Sequence, residues 1–145
     1  MTWFSSLADK YQGTLDRKAR VQSGAVQLFQ DLRTQAATAS AAYNTRFPTG
    51  DIASCGAMTS TAAKDEFTVS MNARPEPGAL VRSATITLLK PNLISAVYST
   101  GGAPLVITVD LDAQGYVCLM NDDEKTSMDD ALTLLLGSFL FPDNA

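Results

Sequence analysis

Residues 14–46 hold no proline and a single glycine, Gly24, and this limits the possible folds more than any other feature of the chain. With no strong breaker, these roughly thirty residues read as one long helix. At a 3.5-residue spacing Leu15, Lys18, Gln22, Ala25, Phe29, Leu32, Ala36, Ala39 and Tyr43 fall on one stripe, apolar from Ala25 onward. At about 1.5 Å per residue the helix would be roughly 48 Å long. A compact domain of 145 residues is only roughly 38 Å across. The helix is therefore expected to overhang its own sheet and to need a partner.

Upstream, Ser6 has the character of an N-cap with Asp9 three residues on, and Leu7 and Tyr11 share a face. Gly13 resembles a helix C-terminal glycine and Thr14 a new N-cap, which predicts a short helix over 1–13 and a break at Gly13. The alternative is a kink at Gly24. Asp16 and Arg20, four apart, favour continuity between them.

Phe47-Pro48-Thr49-Gly50 ends the helix, because proline disfavours helical geometry in the residue before it. From there the period changes to two, and 51–121 reads as an antiparallel sheet. Residues 66–73 alternate cleanly, with Phe67, Val69 and Met71 against Thr68, Ser70 and Asn72. The stretch 51–60 is a weaker strand. Further strands are expected at 80–90, 93–99, 105–111 and 116–121, and Pro91 calls for a connection longer than two residues. A four-residue turn at Asp112-Ala113-Gln114-Gly115 would set Leu111 opposite Tyr116, Val109 opposite Cys118 and Ile107 opposite Met120.

The third and fourth strands carry apolar residues at both parities, so both faces of the sheet are expected to be covered. One cover is a C-terminal helix over 126–141, capped near Thr126 or Ser127 and stopped by Pro142. Its stripe is Met128, Leu132, Leu135, Leu136 and Phe139, with Leu134 and Phe141 roughly opposite. The other cover would be the long helix. The fold class is α+β: a long N-terminal helix on an antiparallel meander of five to six strands, with a C-terminal helix, all in one domain over 1–145.

Composition narrows the chemistry. The chain has no histidine, which removes Ser-His-Asp and Cys-His catalysis, a histidine general base and His-ligated zinc from a single chain. Two cysteines, Cys55 and Cys118, do not make a four-thiolate zinc site. Cys118 reads as a buried structural residue and Cys55 lies in a run of small residues. The acidic run Asn121-Asp122-Asp123-Glu124, with Asp129 and Asp130, lacks calcium-loop spacing and reads as a solvated loop leading into a helix N-terminus. No catalytic, cofactor or metal residue is assigned.

Residues 1–50 carry six basic and three acidic side chains, so the net charge of −4 divides into +3 there and −7 in the remainder. This balance favours docking of helix on sheet, within or between chains. The cations are too sparse for a nucleic-acid surface, and no stretch reaches the roughly 20 apolar residues of a membrane span. Without a secretory leader pattern at 1–6, the expected compartment is cytoplasmic.

The expected function is a non-enzymatic binding or assembly module, a homodimer formed through its helices. Trp3, Phe4, Leu134 and Phe141 are the candidate interface residues. A variant of this reading is a small acidic chaperone-like protein that holds another protein. The alternative is an apolar-ligand protein with a pocket between helix and sheet, lined by Phe29, Tyr98, Val109 and Met120.

Overall fold

The computed structural model describes residues 2–47, 57–63, 65–73 and 79–142. It is an α+β arrangement: helix α1 (Thr2–Arg46), strands β1 (Ala57–Ala63), β2 (Glu66–Asn72), β3 (Leu80–Leu89), β4 (Leu93–Tyr98), β5 (Leu105–Leu111), β6 (Val117–Asn121) and β7 (Glu124–Thr126), then helix α2 (Met128–Leu140). The strands form a single antiparallel meander in chain order. Six of them have five residues or more, and β7 is a three-residue addition at one edge. Of the expected strand at 51–60, residues 57–60 lie in β1, and 51–56 fall outside the described residues.

The expected break at Gly13 does not occur. α1 runs unbroken for 45 residues, through Gly13 and Gly24, which makes it roughly 67 Å long. A helical glycine costs only about 1 kcal/mol relative to alanine, too little by itself to end a helix that continues on both sides. Gly24 is needed for another reason. A Cβ there would lie 2.3 Å from Val117 Cγ1, so only glycine lets α1 approach β6 so closely.

The expectation of cover on both faces is also corrected. Phe67, Val69 and Met71 of β2, Ala84, Ile86 and Leu88 of β3, Ile94 and Ala96 of β4, Ile107 and Val109 of β5 and Leu119 of β6 are buried on one face. Both helices pack on that same face. The Phe29 ring of α1 lies 5.4 Å from that of Phe67. From β3, Arg82 Nε donates to the Phe139 carbonyl of α2 at 2.9 Å, while the Tyr98 hydroxyl of β4 donates to the Leu135 carbonyl. The other face holds Thr68, Thr85, Thr87 and Ser95, with Leu89, Val97 and Val106 about half exposed. Its hydroxyl-bearing side chains suit water, as one face of an antiparallel sheet commonly does.

The β5–β6 register differs by one residue from the four-residue turn expected from the sequence. Leu111 pairs with Val117, Asp110 with Cys118, Val109 with Leu119 and Thr108 with Met120. The loop proper is Ala113-Gln114-Gly115, closed by the Asp112 N–H donating to the Tyr116 carbonyl at 2.8 Å. Gly115, at φ +84°, is the left-handed residue that completes a turn with a bulge. That extra residue moves Cys118 and Met120 to the sheet face opposite the helices, where Cys118 is nonetheless buried. Between β6 and β7, Asp122 and Asp123 have φ of 50° and 66°, the left-handed pair of a two-residue hairpin turn. The acidic run is therefore a hairpin turn followed by a helix start, with the Ser127 hydroxyl accepting from the Asp130 N–H at 3.1 Å.

Candidate interaction surface

α1 reaches the sheet only part of the way along its length. Every residue from 2 to 20 is exposed, and Val21 is the first buried residue of the helix. The attachment begins at Arg17, whose guanidinium donates to Asp110 Oδ1 at 3.0 Å, and continues at Arg20, which donates to the Gly115 carbonyl. Both members of the Arg17–Asp110 pair are about half exposed, so the contact positions the helix while contributing under about 1 kcal/mol. Residues 2–16 project beyond it for roughly 22 Å.

The projecting segment is amphipathic. Trp3, Phe4, Leu7, Tyr11 and Leu15 are 65%, 56%, 58%, 66% and 41% exposed. At 100° per residue all five lie within about 70° of the mean direction of the buried stripe Val21, Ala25, Phe29, Leu32, Ala36, Ser40 and Tyr43. The same face of the helix is thus apolar in both parts, with Thr14, Lys18 and Gln22 between them, buried over its second part and bare over its first. Ser5, Asp9, Gln12 and Asp16 occupy the opposite side, with Gln12 Nε2 donating to Asp16 Oδ1 at 2.9 Å. Trp3 and Phe4 meet edge to face at 5.9 Å.

The foot of the projection is built from two sheet turns. Asp112 Oδ1 accepts the N–H groups of Gln114 and Tyr116, both at 2.9 Å, and Oδ2 accepts from Lys125 Nζ at 3.1 Å. The bond from Tyr116 and then that from Lys125 hold this carboxyl below the ordinary carboxylate range, and the same contact raises Lys125. Beside it, Asn92 Nδ2 donates to the Val109 carbonyl at 3.0 Å, tying the β3–β4 turn to β5. Where α1 leaves these turns lies a cavity of about 430 Å³, lined among others by Thr14, Lys18, Val21, Gln22, Pro91 and Asp110.

The sequence-derived candidates are distributed differently from expectation. Phe29 and Val109 are fully buried, Tyr98 binds α2, and Met120 sits on the opposite sheet face, so the four do not line one pocket. Leu134 is 36% exposed on α2, and Phe141 belongs to an aromatic cluster with Tyr43 and Phe47 at 6.0 and 6.2 Å. These rings border an open groove of about 840 Å³ that also touches Ala39 and Leu140. Trp3 and Phe4 are exposed, and Leu7, Tyr11 and Leu15, not among the candidate interface residues, share their stripe. The signal was present in the 3.6-residue spacing; the missing information was where the sheet ends.

Cys118 is buried, its Sγ 3.5 Å from Met120 Sδ, and burial with the nearby Asp112 charge pushes the thiol pKa up, away from nucleophilic use. Cys55 lies outside the described residues. Among the described residues no three His, Cys, Asp or Glu side chains gather as metal ligands, and no helix is long and apolar enough to cross a membrane. Comparison with family models, curated proteins and solved structures finds no match. The surface is accordingly read from its own geometry.

Proposed function

We propose that this chain is a non-enzymatic assembly module that dimerises through the projecting part of α1. The observation that carries the reading is the bare continuation of the core stripe. Exposed apolar side chains occur singly on most surfaces, but five aligned on four helical turns form a patch. With an aromatic side chain burying roughly 150–250 Å² when covered, the stripe offers roughly 500 Å². Two copies would then bury roughly 1,000 Å², the lower bound for a specific interface. Light scattering on the purified chain over a micromolar concentration range tests this. The expected mass is twice 15.4 kDa, falling to the monomer in Tyr11→Glu. A wild-type monomer throughout that range removes the proposal.

A second reading draws on the groove beside Tyr43, Phe47 and Phe141, whose volume of about 840 Å³ is within the range of small-molecule sites. It makes the chain a carrier of an apolar small molecule at the other end of α1. Native mass spectrometry of the purified chain would reveal such a cargo as added mass. An unliganded mass, together with no stabilisation by alkyl or aryl compounds, counts against it.

A further inference from the structure

We infer that the second copy lays its projecting helix antiparallel to the first, and that Trp3 and Phe4 of each copy seat in the cavity at the foot of the other's projection. This rests on the dimer reading above.

Direction follows from the stripe. Because the bare residues point the same way as the buried ones, a helix that covers them must lie in the layer occupied by the sheet. Helix–helix distances of about 8–10 Å resemble the spacing of packed layers, about 10 Å. A parallel partner helix, continuing past residue 16, would run into the hairpin turns at Pro91 and Asp112. An antiparallel one leaves in the opposite direction, where no sheet stands. The space beneath the projection is as long as the projection itself, so a second copy fills it with a segment of equal length.

Full overlap of residues 2–16 with their copy sets Leu7 against the other copy's Tyr11 and Phe4 against its Thr14. Helical side chains lean toward their own N-terminus, which carries Trp3 beyond Leu15 toward the other copy's Lys18. That is where the 430 Å³ cavity lies, between Thr14, Lys18 and Gln22 of α1 and the sheet rim at Pro91. Lys18 and Arg17 both line this cavity, Arg17 held by Asp110, and an indole face beside the Lys18 ammonium is the partner such a cation favours in a desolvated site. The reciprocal arrangement is closed, as a two-fold interface requires.

Trp3 is the only tryptophan in the chain, so its emission reports the seat directly. At concentrations where sedimentation gives a dimer, emission should be blue-shifted and shielded from acrylamide, and dilution to monomer should restore the exposed spectrum. Gln22 is exposed, and Gln22→Phe places a ring in the cavity. It should weaken association at least tenfold and return Trp3 emission to the red, with an unchanged circular dichroism spectrum. Lys18→Ala, which adds no bulk, should weaken association severalfold and serves if Gln22→Phe fails to fold. A dimer whose Trp3 emits as an exposed indole, or that neither variant weakens, overturns the seating and leaves the dimer standing. A monomer at every concentration overturns both. A monomer whose Trp3 shifts only with phosphatidylserine vesicles assigns the stripe to a lipid surface and overturns both as well.

Discussion

The two parts of α1 share one apolar stripe and differ in everything that covers it. Over residues 21–43 the stripe contains Ala25, Phe29, Leu32 and Ala36, all at most 1% exposed against the sheet. Over residues 3–15 its side chains are 41% to 66% exposed. Alanines and large side chains are mixed where the sheet packs, with Phe29 against Phe67, whereas Trp3, Phe4, Leu7, Tyr11 and Leu15 stand where no sheet lies beneath them. Gly24 and Gly13 repeat the contrast: a Cβ at Gly24 collides with Val117, whereas at Gly13 it meets nothing within 4 Å. Helical periodicity alone therefore does not distinguish core from exposed surface. The distinction comes from where the sheet ends.

Substitution should separate the two parts. The largest effect is expected from Phe29→Ala in the packed part, about 3–5 kcal/mol of chain stability by denaturant unfolding. Phe4→Ala in the projecting part should leave monomer stability within about 0.5 kcal/mol while weakening self-association. Equal losses at both positions would erase the comparison.

The glycines sharpen it. Gly24→Ala gains about 1 kcal/mol of helix propensity but forces α1 away from Val117, with an overpacking cost of about 1–3 kcal/mol, so a net loss of stability is expected. Gly13→Ala meets no neighbour and should raise the melting temperature through a gain of about 1 kcal/mol. Opposite signs from the same substitution on one helix would be hard to reconcile with a uniformly packed α1.

The smallest effect concerns the turn at the boundary. The carboxyl of Asp112 has a lowered pKa in the folded chain, so its stabilising contribution is fully present above the ordinary carboxylate value. It is lost as pH falls through the depressed folded value. Lys125 has a raised pKa, and its share is lost only as pH rises through that higher value. Wild type should therefore exceed Asp112→Asn in melting temperature near neutrality, with the gap closing in acid. A gap that widens in acid would contradict the hydrogen-bonding scheme.

Much of this was legible in the residues. The lack of proline in 14–46, the alternation at Phe67, Val69 and Met71, the Ser127 cap and the stop near Pro142 all mark elements the fold contains. Three features were not legible, each for a physical reason. Gly13 resembles a helix end by type, but the tendency of a single residue yields to the helix on both sides. The β5–β6 register turned on one left-handed residue, Gly115, which placed Val109 opposite Leu119 instead of Cys118. Apolar residues at both parities of β3 and β4 suggested two covered faces, yet Leu89 and Val97 remain on the open one. The projecting surface was visible as a helix too long for its domain, while its composition became meaningful only once the edge of the sheet was known.

Amide hydrogen exchange, followed along α1 as protein concentration is raised, tests the central claim most directly. A projecting segment of about 15 residues is marginal as a helix by itself, so its protection should depend on the second copy. Residues 2–16 should gain protection with the same concentration dependence as dimer formation, while residues 21–46 stay equally protected throughout. Protection over 2–16 that is already complete in a solution of monomers, or absent in a solution of dimers, would contradict the account.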